Sequence, residues 1–124
     1  MLNHIDLMGR LTKDPELRYT QSDTPVASFT LAVDRDVGSE TDFVNCVAWR
    51  KTAQFVDKYF TKGSMVVVSG RLQIREWTDN EGKKRYATEV VADRVYFGEA
   101  KKKAENAEGS VFSDLDDDGE LPFS

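Results

Sequence analysis

The sequence predicts an all-β protein: a small five-stranded barrel in Greek-key order, with one short helix between its third and fourth strands. Three observations lead there. Runs in which apolar and polar residues alternate recur five times within the first 97 residues, the period of strands with one buried face. Only one stretch, 52–60, has helical spacing instead. Short clusters of Gly, Asn, Asp, Ser and Pro separate the runs, as turns require.

The first predicted strand is Asn3 to Leu11, with Ile5, Leu7, Gly9 and Leu11 on one face and His4, Asp6, Met8 and Arg10 on the other. Gly9 is expected to mark a bulge or sharp bend. Thr12 to Thr24 is rich in turn formers and is broken by Asp14-Pro15. A second strand, Val26 to Arg35, turns Ala27, Phe29, Leu31 and Val33 one way. After a polar loop at Gly38-Ser39, a third strand runs from Asp42 to Trp49. Its small apolar residues Val44, Cys46 and Ala48 suit a crowded interior, which leaves Phe43, Asn45, Val47 and Trp49 outside.

Val56, Tyr59 and Phe60 then recur at helical spacing, with Thr52 as the expected N-cap and Gly63 as the expected stop. The fourth strand, Val66 to Trp77, places Val66, Val68, Gly70, Leu72 and Ile74 on an apolar face. Its other face carries Ser69, Arg71, Gln73, Arg75 and Trp77. Thr78 to Gly82 forms a hairpin tip, Lys83, Lys84 and Arg85 begin the returning arm, and Tyr86 to Phe97 is the fifth strand, with Val91, Val95 and Phe97 on one parity.

This order of elements is that of the OB-fold, whose ligands usually lie on strands two and three and on the loops joining strands one to two and four to five. Phe43, Trp49, Arg75, Trp77 and the basic arm 83–85 fall on or near that surface. An outward Trp beside two Arg suits a flat, anionic ligand, with base faces for the indole and phosphates for the guanidinium groups. The competing reading closes the strand end with Trp77 and leaves the Arg residues to solvent.

Charge and composition limit the alternatives. The 124 residues carry a formal charge of −5, but residues 1–99 hold 14 Lys and Arg against 15 Asp and Glu. Residues 104–124 hold seven acidic residues and no basic one. The acidity therefore belongs to a tail, and local stripes must decide the partners of the rest. One Cys and one His allow neither an internal disulfide nor a zinc site. No apolar run approaches a membrane span and no leader pattern opens the chain, so the expected place is the cytoplasm. Nothing assembles a catalytic centre: no phosphate-cradling Gly loop and no converging carboxylates occur. No enzyme activity, metal or cofactor is expected.

Three parts follow: a barrel domain at 1–99, a flexible linker at 100–112 and an acidic tail at 113–124. The tail is too charged to fold alone. Its apolar tip, Leu121, Pro122 and Phe123 beside Asp116, Asp117, Asp118 and Glu120, has the character of a docking peptide for a basic-rimmed apolar pocket.

Several segments together resemble bacterial single-stranded DNA-binding proteins. They include Gly9-Arg10-Leu11, Asp14-Pro15-Glu16-Leu17-Arg18-Tyr19, Phe29-Thr30-Leu31-Ala32-Val33, Asn45-Cys46-Val47-Ala48-Trp49-Arg50-Lys51, Gly70-Arg71-Leu72 and Thr88-Glu89-Val90-Val91-Ala92-Asp93. The match runs through residues 1–97 and resumes at the Leu-Pro-Phe tip. The resemblance implies binding of single-stranded DNA without strong sequence preference, as a homotetramer or else a dimer. It also implies protection of that DNA in replication, recombination and repair, association with the nucleoid, and recruitment of other proteins by the tail. By the same resemblance, Phe43, Trp49 and Trp77 stack on bases, Lys51 and Lys62 hold phosphates, and Arg10, Arg18, Arg71 and Arg75 add to them.

Three departures from the family pattern bear on this. The loop Asp34 to Thr41 is short, with Val37 near a place where some members carry a further Trp. Glu76 stands beside Trp77 where some members have Lys, which is expected to weaken phosphate attraction there. Ser124 follows Phe123, moving the terminal carboxylate one residue from the ring. The rival from another class is an oligomeric OB-fold adaptor whose aromatic face is covered by protein and binds no DNA.

Overall fold

A computed structural model describes residues 1–99. The expected linker and acidic tail lie outside the described residues. The elements are β1 (Ile5–Leu11), β2 (Glu16–Tyr19), β3 (Pro25–Asp34), β4 (Thr41–Trp49), α1 (Arg50–Tyr59), β5 (Met65–Thr78) and β6 (Lys84–Phe97). Strands β1, β5, β6, β4 and β3 pair in that order, and β1 closes on β3 through Arg10–Ala32 and Leu11–Leu31. Five strands thus make the expected closed OB barrel. The β4–β6 pairing is parallel at Cys46–Val90, Val47–Val91 and Ala48–Ala92.

β2 is a strand that alternation did not reveal. β1 occupies only one part of the free edge of β3, at Leu31 and Ala32. The segment 16–19 pairs with the remainder, from Glu16–Ser28 to Tyr19–Pro25. An otherwise bare edge therefore recruits four residues whose own pattern is too short to read as a strand.

The inward set includes Leu11, Ala27, Phe29, Leu31, Cys46, Ala48, Val66 and Val68, all nearly inaccessible to solvent. α1 plugs one end of the barrel with Ala53 and Val56, and Phe60 follows. Phe97 packs its ring against Phe60, Phe55 and Tyr59 at centroid distances of 4.9, 5.6 and 5.8 Å. Gly9 marks a close crossing and not a bulge: a Cβ there would stand 2.5 Å from the Ala32 carbonyl oxygen.

The helix starts earlier than its spacing predicted. Trp49 occupies the N-cap position with no side-chain cap, and Arg50, at φ +58°, turns the chain directly from β4 into α1. Thr52 is therefore inside the helix. The helix ends at an extended Phe60, and Gly63 serves the turn Thr61–Ser64 that follows, where its φ is +88°.

Two strand faces also differ from expectation. The apolar face of β5 is buried only as far as Gly70, and Leu72 and Ile74 are 41% and 62% exposed. The β5–β6 hairpin is longer than the barrel, so its outer half has no core beneath it. In β6, Ser69 faces Arg94 but Gly70 faces Ala92, which leaves Asp93 as an extra residue. That bulge reverses the alternation. Val90 and Ala92 join Val95 in the core, while Val91 turns to the outer face.

Candidate nucleic-acid interface

Cross-strand register places side chains of β2, β3, β4, β5 and β6 on one outer side of the sheet, because directly paired residues point to the same side. Val26 and Val91 there are covered by their neighbours. Ser28 faces Val47, Val47 faces Val91, and Val91 faces Arg71. This row joins the outer side of β3 and β4 to the Arg-bearing side of the hairpin. A neighbouring row runs Arg18, Val26 and Trp49. In the other direction lie Thr30 with Asn45 and Ala32 with Phe43. Along the hairpin the same surface carries Gln73 with Glu89, Arg75 with Ala87, and Trp77 with Arg85.

Phe43, Trp49 and Trp77 are thus on one face and are 67%, 43% and 45% exposed. Trp49 follows Phe43 by six positions along β4, about 20 Å at strand rise. The surface is extended. The groove between β1 and β3, which Ala32 borders, carries the carboxylates of Asp6, Asp34 and Asp36 against the single guanidinium of Arg10, a lining poorly suited to phosphate.

The cations of the face differ in their partners. Arg18 donates to Ser28 Oγ at 3.0 Å and Arg71 to Gln73 Oε1 at 3.1 Å. Both partners are neutral, so the two charges stay available to an anion. Arg75 lies 3.6 Å from Glu89 Oε2, and Arg85 Nε donates to Asp79 Oδ2 at 2.8 Å. Arg10 is turned to other work: its Nη1 donates to the Gly63 carbonyl at 2.8 Å and lies 3.5 Å from Glu99 Oε1. Lys51 is in the first turn of α1 and Lys62 in the turn beyond its other end. The intervening helix is about 15 Å long.

Glu76, expected to disturb Trp77, occupies the opposite face of the hairpin, where it faces Tyr86 and lies 3.4 Å from Lys84 Nζ. Alternation separates neighbours in sequence, so this carboxylate does not stand among the proposed stacking residues. Val37 is 86% exposed in the short loop between β3 and β4. Arg35 closes that loop with two hydrogen bonds to Asp42, at 3.2 and 3.0 Å, and an ion pair to Glu40 at 2.8 Å. Arg85 belongs to the basic arm expected from the sequence; Asp79 and Glu89, which pair with Arg85 and Arg75, are the residues here that sequence reading did not single out. An Asp at the start of a turn followed by a Gly three residues later was the available signal for the first of them.

The barrel and its outer side define an OB-fold protein with an extended aromatic and cation-bearing face on its β-sheet. Residues 2–98 match the model of the single-strand binding protein family, and the chain belongs to that family. It is 50% identical over 116 residues to single-stranded DNA-binding protein 2 of Listeria monocytogenes, covering 90% of this chain and 71% of that one. It is 51% identical over 102 residues to the single-stranded DNA-binding protein of Halalkalibacterium halodurans, covering 78% of this chain and 61% of that one. With single-stranded DNA-binding protein 1 of Staphylococcus aureus it shares 50% identity over 111 residues, 86% of this chain and 71% of the other.

Proposed function

We propose that this protein binds single-stranded DNA without strong sequence preference, holds it unpaired and protected during replication, recombination and repair, and has no catalytic role. The observation that carries the reading is the placement of Phe43, Trp49 and Trp77 on one exposed sheet face beside Arg18 and Arg71, whose partners are neutral. Stacking contributes about 1–3 kcal/mol per base whatever the base, and cations follow the backbone. The names of the relatives support the same ligand.

The proposed assembly is a homotetramer. Leu72, Ile74 and Tyr86 are exposed large side chains on the side of the hairpin opposite Trp77, and Met8 and Tyr96 are exposed on the outer barrel wall; association would cover such surface. No helix among the described residues is long and apolar enough to cross a membrane. The proposed setting is the bacterial cytoplasm. Residues 113–124 are proposed to recruit replication and repair proteins through the tip 121–123. Truncation after Ser113 is expected to leave DNA affinity intact or raised, because an acidic tail competes for the basic face. A clear loss of affinity on truncation would show that the tail is no separate module.

Intrinsic Trp fluorescence during titration with oligo-dT, repeated with duplex DNA and at two salt concentrations, tests the reading. Strong quenching by the single strand alone, saturating at a fixed nucleotide ratio, is the expected result. No quenching at low salt would mean that protein covers the aromatic face, as the adaptor reading requires.

A further inference from the structure

Beyond the barrel, one carboxylate accepts three hydrogen bonds within the β5–β6 tip. Asp79 Oδ1 accepts the backbone N–H groups of Glu81 and Lys83, both at 2.9 Å, while its Oδ2 accepts Arg85 Nε at 2.8 Å. The Asp79 N–H donates to the Lys83 carbonyl and the Gly82 N–H to the Asp79 carbonyl, each at 3.0 Å. Gly82 takes φ +82°, a conformation that glycine adopts without strain. Although the tip has no core beneath it, the Asp79 side chain is only 16% exposed. The Arg85 guanidinium and the two N–H groups hold this carboxyl below the usual carboxylate range.

Trp77 and Arg85 are directly opposed on this same hairpin. A two-stranded ribbon is marginally stable by itself, so the orientation of that pair depends on what closes the turn. We propose that Asp79 is a positioning residue for single-stranded DNA: it locks the tip so that the Trp77 ring and the Arg85 guanidinium stand ready as a stacking surface and its adjacent charge. This rests on the DNA-binding reading above. Ordering these two side chains before contact removes a cost that binding would otherwise meet.

Electrostatics alone predicts the opposite sign. Asp79 places a negative charge near a polyanion and occupies Arg85, so its removal should tighten binding if position did not matter. Positioning predicts that removal weakens it.

The experiment uses the full chain with Trp49→Phe, which leaves Trp77 as its single indole. Anisotropy decay of Trp77 without DNA reports ring order, and labelled oligo-dT reports affinity. Asp79→Ala is expected to speed the local depolarisation and weaken oligo-dT binding by about three- to tenfold, with an unchanged melting temperature because the tip lies outside the core. Asp79→Asn keeps an oxygen for the two backbone N–H groups and is expected to restore ring order and most of the affinity. Unchanged ring order in Asp79→Ala, or equal or tighter binding by it, overturns the positioning role while leaving DNA binding intact. Failure of the unsubstituted chain to bind oligo-dT at low salt overturns the DNA-binding reading, and this proposal with it.

Discussion

Glu89 faces Gln73 across the hairpin and lies 3.6 Å from the Arg75 guanidinium, with only 15% of its side chain exposed. A carboxylate therefore sits within the surface proposed to receive a polyanion. It neutralises one of the cations there and repels phosphate. Glu89→Gln is expected to tighten oligo-dT binding and to steepen the dependence of log affinity on log salt by about 0.7, one additional phosphate contact on a single strand. A salt titration of both proteins checks this. An unchanged slope would show that Arg75 does not reach the phosphates.

Trp77 and Lys83 lie near each other but differ in what they offer. The indole belongs to the aromatic face, whereas Lys83 is within the exposed tip. Trp77→Ala is expected to cost about 1–3 kcal/mol of binding, and Lys83→Ala less. Equal or reversed losses in parallel titrations would remove Trp77 as a stacking surface.

Gly70 stands where β5 and β6 shift register, and a Cβ there would run into the Val91 carbonyl oxygen. The clash is with backbone, which cannot swing aside. Gly70→Ala is expected to destabilise the barrel by about 3 kcal/mol, seen as a lower denaturant midpoint. A midpoint equal to that of the parent protein would mean that the bulge at Asp93 absorbs the methyl group.

Burial pushes the Cys46 thiol from its ordinary 9.0 up to about 12. Between those values the unfolded chain holds fewer protons than the folded one, so stability falls as pH rises through this window. The loss from this group is at most about 1.4 kcal/mol per pH unit. Cys46→Ala removes it. The stability advantage of the parent over this variant is expected to shrink between pH 9 and 11 in paired urea titrations, and a constant difference would place the thiolate in solvent.

The inner faces of β1, β3 and β4 were legible in the sequence because every second residue from Ile5 to Leu11, Ala27 to Val33 and Val44 to Ala48 is apolar or Gly. The outward placement of Phe43 and Trp49 followed from the same parity. In β6 the parity failed on one residue. Asp93 is extra to the ladder, and nothing in the local pattern distinguishes a bulged Asp from an ordinary outward one. Leu72 and Ile74 read as core because their alternation is as regular as that of Val66 and Val68. Their exposure comes from the hairpin extending past the barrel.

Local alternation therefore determined the five barrel strands, the inward side chains of β1, β3 and β4, and the aromatics left outside, because each depends on near neighbours in the chain. Tertiary structure decided the composition of the face. The row Ser28, Val47, Val91 and Arg71 joins four distant segments. The diversion of Arg10 to Gly63 and Glu99, and the separation of Glu76 from the aromatic side, likewise depend on register between strands. That register is set by barrel closure and a bulge, which act between residues far apart in sequence.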